Sequence, residues 1–260
     1  MPYPVAAVRG KNFGTPWTPT ALGSALVLWL KADVGLYQER TGASATTPAA
    51  VDGDPVGSWL DQSDNGFHFT APSDSARPTL KLAIQNGRAV IRGDRTDDTL
   101  TRAWTAQVNA GYALAVMARR RAIADAYEPL VRMTPDNTLA LQREGSGDGT
   151  APSKLEAFAS TGTLYSATPA TNPDTDFHSY LALYDGAALS IYKDGAVWGG
   201  PIAVVGTLNS SASGQTMRLW NEGSINWGDY DIGEVILTTT GTAAAVANLS
   251  SYLRSRWGTP

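Results

Sequence analysis

The sequence predicts an all-β fold, a sandwich or a barrel, on three observations. Short apolar runs recur at short intervals with turn chemistry between them. Charged residues make up only 17% of the 260, while 26 Gly and 15 Pro supply turns, a balance that suits a turn-rich β protein. A βαβ rhythm is absent, and the one good helical pattern lies at the C-terminus.

The elements follow in order. Residues 1–20 carry Pro2, Pro4, Pro16 and Pro19 with Gly10 and Gly14 between them, so an extended arm is expected. Tyr3, Val5, Val8, Phe13 and Trp17 make that arm too apolar for an inert tail. It is expected to dock through Tyr3, Phe13 and Trp17, on its own domain (residues 21–260) or on a neighbour. Leu26–Leu30 is an apolar run of strand length, and Val56–Leu60 is a second, ended by the polar turn Asp61–Gly66. Asn86-Gly87 is a hairpin signal before the strand Ala89–Arg92. Ala113–Ala118, Glu128–Val131 and Leu139–Gln142 are further strands. Ser179–Tyr184 and Leu189–Tyr192 pair around Asp185-Gly186, and Asp194-Gly195 turns the chain into Ala196–Trp198. Met217–Trp220 and Ile232–Leu237 complete the series. In the closing helix, Thr242 is the N-cap and Val246, Leu249, Leu253 and Trp257 form one apolar face. Arg254 and Arg256 sit in its last turn, where they suit the helix dipole, and Gly258 stops it.

Composition excludes several classes of function. A net charge of -4 gives no electrostatic case for nucleic acid, and the one basic cluster, Arg119-Arg120-Arg121, is expected to be a solvated strand end. With no cysteine there is neither disulfide nor thiolate chemistry, and a metal would need oxygen or histidine ligands. The N-terminus lacks the apolar run of a signal peptide, and no segment approaches the roughly 18 apolar residues of a membrane span. A soluble protein without a cleaved leader is the expectation.

Several motifs together resemble one family. Leu28-Trp29-Leu30-Lys31-Ala32-Asp33 is similar to its first strand, and Trp59-x-Asp61-x-Ser63-x-Asn65-Gly66 to its most recognisable turn. Arg77-Pro78-Thr79 and Asn86–Gly93 resemble its next strand pair, with Arg92 where an aromatic is expected. Asp185–Gly195 resembles its central hairpin, and Ile232–Ile236 with Tyr252-Leu253-x-x-Arg256-Trp257-Gly258 its ending. The chain, over residues 24–258, resembles the concanavalin A-like lectin/glucanase superfamily in its laminin-G-like bacterial and phage branch. The resemblance implies a two-sheet antiparallel jelly-roll sandwich with a concave face that binds glycans in some members. Fold alone does not fix function.

The superfamily also contains glucanases, so catalysis needs weighing. Retaining hydrolysis takes two carboxylates about 5 Å apart. None of the glutamates Glu39, Glu128, Glu144, Glu156, Glu222 and Glu234 has a second acid in the required strand pattern. Period two puts Asp231 on the face opposite Glu234. His68 and His178 belong to no nucleophilic triad and are expected to be surface or turn residues. No catalytic residue is therefore assigned. Asp61, Ser63 and Asn65 imitate the first half of a calcium loop, but Pro72 stands where the bidentate glutamate belongs, and a plain turn is favoured. Calcium is the one cofactor left open. Asp94–Asp98 is expected to be a solvated loop. Trp198, Trp220 and Trp227, with Asn221, are the ligand-contact candidates, set against core packing.

The expected function is a non-enzymatic structural and interaction protein of a phage virion: capsid decoration, head fibre or tail-associated. Its arm would hold other virion proteins. The alternative is a carbohydrate-binding adhesion module for a cell-surface glycan, and a glycoside hydrolase comes third. Neither nucleic acid nor a membrane is an expected partner. A homo-oligomer would suit a repeated particle protein.

Overall fold

A computed structural model describes the chain except residues 1–15, 107, 123–126, 136–137, 144–153, 172–173, 209–213 and 224–225. The strands are β1 (Leu26–Lys31), β2 (Leu36–Tyr37), β3 (Ser58–Trp59), β4 (Phe69–Thr70), β5 (Thr79–Gln85), β6 (Arg88–Arg92), β7 (Leu100–Ala103), β8 (Tyr112–Arg120) and β9 (Glu128–Thr134), then β10 (Leu139–Arg143), β11 (Leu155–Ser160), β12 (Leu164–Ala167), β13 (His178–Tyr184), β14 (Ala188–Lys193), β15 (Ala196–Ala203), β16 (Thr216–Leu219) and β17 (Tyr230–Thr238). The helix α1 (Ala243–Trp257) follows, and a 3-10 segment (Pro19–Ala25) precedes β1.

Two antiparallel sheets form the sandwich. The first runs β15-β14-β13-β8-β17-β6-β5, with β1 also paired to β17. The second runs β12-β11-β10-β9-β16-β7-β4-β3-β2. Between them lies one apolar core that includes Leu28, Leu30, Trp59, Leu114, Val116, Leu141, Leu219, Trp220, Val235 and Leu237.

The first sheet is buried on its outer face too. There α1 sets Val246, Leu249, Leu253 and Trp257 against Val90, Ala113, Ala115, Met117, Leu181 and Ile236. This explains the unbroken apolar run of β8, whose alternate residues face two different cores. Each fully buried Leu or Val contributes about 1.5–3 kcal/mol, so this face anchors the helix. The Thr242 hydroxyl accepts the Ala245 N–H at 3.2 Å, and Gly258 ends the helix at φ +65°. Both hairpin signals act as expected. Asn86-Gly87 and Asp194-Gly195 have positive φ at both positions and join β5 to β6 and β14 to β15.

One expectation changes at the N-terminus: Pro19 and Thr20, the end of the arm expected to be extended, open the 3-10 segment that runs to Ala25. Trp17 packs edge-on against Tyr252 of α1, with ring centroids 6.0 Å apart, so the docked chain begins by residue 17. Tyr3 and Phe13 lie outside the described residues. No described helix is long and apolar enough to cross a membrane.

Candidate functional site

Candidate places for chemistry or binding among the described residues include the acids of β17, the Asp61 turn, the tryptophans and the outer face of the second sheet.

Strand β17 does not keep period two. Its register against β8 shifts between Ile232 and Glu234, and both Ile232 and Val235 face the inner core. The extra residue is Gly233, where a Cβ would sit 2.3 Å from the Trp257 ring. This bulge puts Asp231 and Glu234 on the same outer face, correcting the opposite-face expectation. Neither carboxylate is free. Glu234 is fully buried and accepts from Trp29 Nε1 at 2.6 Å and from Tyr252 Oη, Arg256 Nε and Trp257 Nε1 at 2.9 Å each. It is the polar bolt between β1, β17 and α1. Asp231, also buried, takes a two-pronged contact from Arg92 (2.7 and 2.9 Å) and one from Arg119 at 2.8 Å.

Within the arginine cluster the solvated-strand-end expectation is corrected for Arg120, which is internal, while Arg119 and Arg121 keep some exposure and are each tied to an acid. Arg119 holds Asp231, Arg121 holds Asp229, and Arg120 is 1% exposed with its Nε 2.6 Å from the buried Glu128. Burial pushes Glu128 above the usual carboxylate range, while Arg120 opposes that shift.

The Asp61 turn is a staple. One Asp61 carboxylate oxygen accepts the N–H groups of Trp29 and Ser63, and the other accepts the Ser63 hydroxyl and the Phe67 N–H. Ser63 and Asn65 donate to the Val27 carbonyl, and Asn65 also to that of Leu26. These oxygens fasten the turn to β1, which is the Asx-turn chemistry the sequence suggests. The Asp61 N–H donates to His68 Nδ1 at 3.1 Å, so the neutral ring carries its proton on Nε2.

The tryptophans do not converge. Trp220 is fully buried against Gly93, and its Nε1 donates to the Tyr230 carbonyl at 2.9 Å. Asn221 is buried as well and closes a turn with Gly223 through both ends of its amide. Trp220 and Asn221 are therefore internal, and the ligand-contact expectation is corrected for both. Trp227 is partly exposed and bridges Asn221. Trp198, also partly exposed, lies on the other sheet, where its Nε1 donates to Thr171.

Two other expectations fail through burial. His178 is 7% exposed, with Nδ1 2.5 Å from Asp194 and Nε2 2.8 Å from Asp174. Burial alone would lower its pKa, but the two carboxylates win and raise it. Asp98 is 5% exposed, and burial followed by the Asp94 charge raises its pKa to about 7.

The outer face of the second sheet is built differently. Side chains that alternate with the core residues Met217, Leu219, Val131 and Met133 form a cross-strand row. In ladder order it is Ser58, Thr70, Thr101, Arg218, Arg132, Ala140, Phe158 and Ser166. Against its Thr70–Thr101 stretch lies a cleft of about 400 Å³, also lined by Arg40, Thr41, His68 and Ala103. A larger cleft of about 580 Å³ opens elsewhere, between residues 32–37 and the β5–β6 hairpin.

No family model and no curated protein matches the chain. Solved structures do. The binding domain of Paraclostridial Mosquitocidal Protein 1 is 12% identical with a TM-score of 0.62, over 92% of this chain and 56% of that one. The ligand-binding domain of botulinum neurotoxin serotype D, in complex with N-acetylneuraminic acid, is 8% identical with a TM-score of 0.61, over 93% and 56%. Trypanosoma rangeli sialidase is 9% identical with a TM-score of 0.54, over 91% and 34%. The chain spans about half the length of the toxin domains and about a third of the sialidase. It shares with them the antiparallel β-sandwich, and the likeness is one of fold.

Proposed function

We propose that the chain is a non-enzymatic binding module: a lectin-like sandwich that captures a saccharide and is carried on a phage particle through its N-terminal arm. The observation that carries the non-enzymatic part is Glu234, whose two oxygens serve four donors inside the molecule. A carboxylate so engaged and fully buried is placed to hold α1, not to meet a glycosidic bond. The sandwich it stabilises has the fold of domains described as binding domains, one of them a ligand-binding domain in complex with N-acetylneuraminic acid. The phage setting rests on the laminin-G-like motifs of the sequence, and the arm is its proposed anchor to other virion proteins.

A glycan array probed with the full chain, beside a reducing-sugar assay on the bound glycans, tests the reading. Specific binding without sugar release is expected. Sugar release that disappears in Glu234→Gln, in a preparation that remains folded, would overturn it. The anchor is tested by deleting residues 1–15 and leaving Trp17 on α1. Loss of particle attachment without loss of glycan binding is expected, and unchanged attachment would refute the anchor.

A further inference from the structure

Arg218 stands out on the outer face of the second sheet. It sits in mid-sheet between β7 and β9, directly across from Arg132. Side chains paired this way have Cβ atoms about 4.5–5.5 Å apart, and like charges there repel. Arg132 has compensation, since Glu222 and the Tyr127 hydroxyl both contact its guanidinium. Arg218 has none: among the described residues no carboxylate lies within ion-pair reach of it. Its Nε donates to the Thr134 hydroxyl at 3.0 Å, which leaves the outer nitrogens of the guanidinium to point elsewhere. Partial burial holds its pKa below the ordinary arginine value.

Three arginines of the first sheet are treated differently. Arg92, Arg119 and Arg120 on the first sheet each have a buried carboxylate within 2.9 Å. An uncompensated, half-desolvated guanidinium beside another arginine is costly. Arg102 on β7 also lacks a carboxylate, but it lies over the Phe67 ring; among the described residues Arg218 has neither, so a role outside the apo fold accounts for it best. The surroundings are rich in donors. Thr101 and Thr70 continue the row, and the 400 Å³ cleft beside them is lined by Arg40, Thr41 and His68 with no carboxylate. Three strand spacings of about 4.8 Å separate Thr70 from Arg132, a span longer than one sugar ring.

We propose that Arg218 binds the acidic group of an anionic saccharide on the outer face of the second sheet, with the sugar running along Thr101 and Thr70 into the cleft. Arg132 stays paired to Glu222. A planar guanidinium matches carboxylate and sulfate geometry in two-pronged fashion, so both groups fit the same chemistry. This inference rests on the saccharide-binding reading above and names the class of sugar.

The test is calorimetric titration of the full chain with three probes: hyaluronan hexasaccharide for carboxylate, oligomeric dextran sulfate for sulfate, and maltohexaose as the neutral sugar. Binding of at least one acidic probe is expected, weakening as salt rises. Arg218→Gln is expected to lose at least ten-fold in affinity, with an unfolding temperature no lower than the parent's. Arg218→Lys, which keeps the charge but loses the fork, is expected to fall between them. The acidic probe that binds identifies carboxylate or sulfate as the source. Equal affinity of parent and Arg218→Gln for the acidic probe would overturn the assignment. Binding of maltohexaose alone, insensitive to Arg218, would overturn it while leaving the lectin reading intact. No binding to any of the three probes would overturn it, and a blank glycan array would then remove the lectin reading as well.

Discussion

The two sheets carry similar inner faces and opposite outer ones. Outside the first sheet, α1 seals an apolar surface, and the acids beneath it are matched: Glu234 by four donors, Asp231 by Arg92 and Arg119. Outside the second, two arginines face each other across β16 and β9, and among the described residues only Arg132 has an acid. Matched polar groups under a helix are what a protein uses to hold itself together. An unmatched charge on a donor-rich face costs stability, and binding is the role proposed for it above.

The comparison breaks first at Glu234. Glu234→Gln leaves Arg256 with only Asp33 and replaces a carboxylate that serves two indoles and a phenol. Urea unfolding should show a loss of about 3 kcal/mol. A loss below 1 kcal/mol would mean the bolt is not structural. Gly233→Ala is next, because its Cβ would meet the Trp257 ring. The same measurement should give about 2 kcal/mol, the cost of overpacking. If the variant is as stable as the parent, the bulge does not need its glycine.

The rim loop at Asp94–Asp98 sharpens the contrast, since there a buried acid faces other acids. Unfolded Asp98 ionises near the ordinary value of 3.8, whereas in the fold burial and Asp94 hold its proton to about 7. The folded state therefore binds more protons between these values, and stability falls as pH rises through that window. Asp98→Asn should remove that slope and be about 1–2 kcal/mol more stable at pH 8, read from urea midpoints across pH. Parallel pH profiles of the two proteins would contradict this. The smallest effect is expected at Arg218. Arg218→Gln should leave thermal stability unchanged or raise it by up to about 0.5 kcal/mol, because a like-charge pair is relieved. A clear loss of stability would assign the arginine to the fold.

How much was legible in the sequence depends on the range of the interactions involved. β1, β8, β13, β14, β17 and α1 are visible because each has a dense apolar pattern and local stop signals. β7, β11 and β12 carry too little alternation to stand out: Leu-Thr-Arg-Ala is a strand only because β16 and β4 flank it. The bulge at Gly233 defeats period-two reasoning, because one inserted residue inverts the phase of everything before it. Arg119, Arg120 and Arg121 look like a solvated run until their acids arrive from elsewhere in the chain. The arginine row is invisible for the same reason, since Arg132 and Arg218 become neighbours only through the register of β9 and β16. Trp220 and Trp227 are close in sequence, yet nothing local shows that one is core and the other partly exposed.

On the proposal above, the outer face of the second sheet is the working surface of the molecule. Amide chemical-shift mapping of the full chain, titrated with whichever acidic oligosaccharide binds, tests it most directly. Perturbations are expected to concentrate on β4, β7, β16 and β9, with α1 and β17 silent. Perturbations confined to α1, or to the cleft between residues 32–37 and the β5–β6 hairpin, would contradict it.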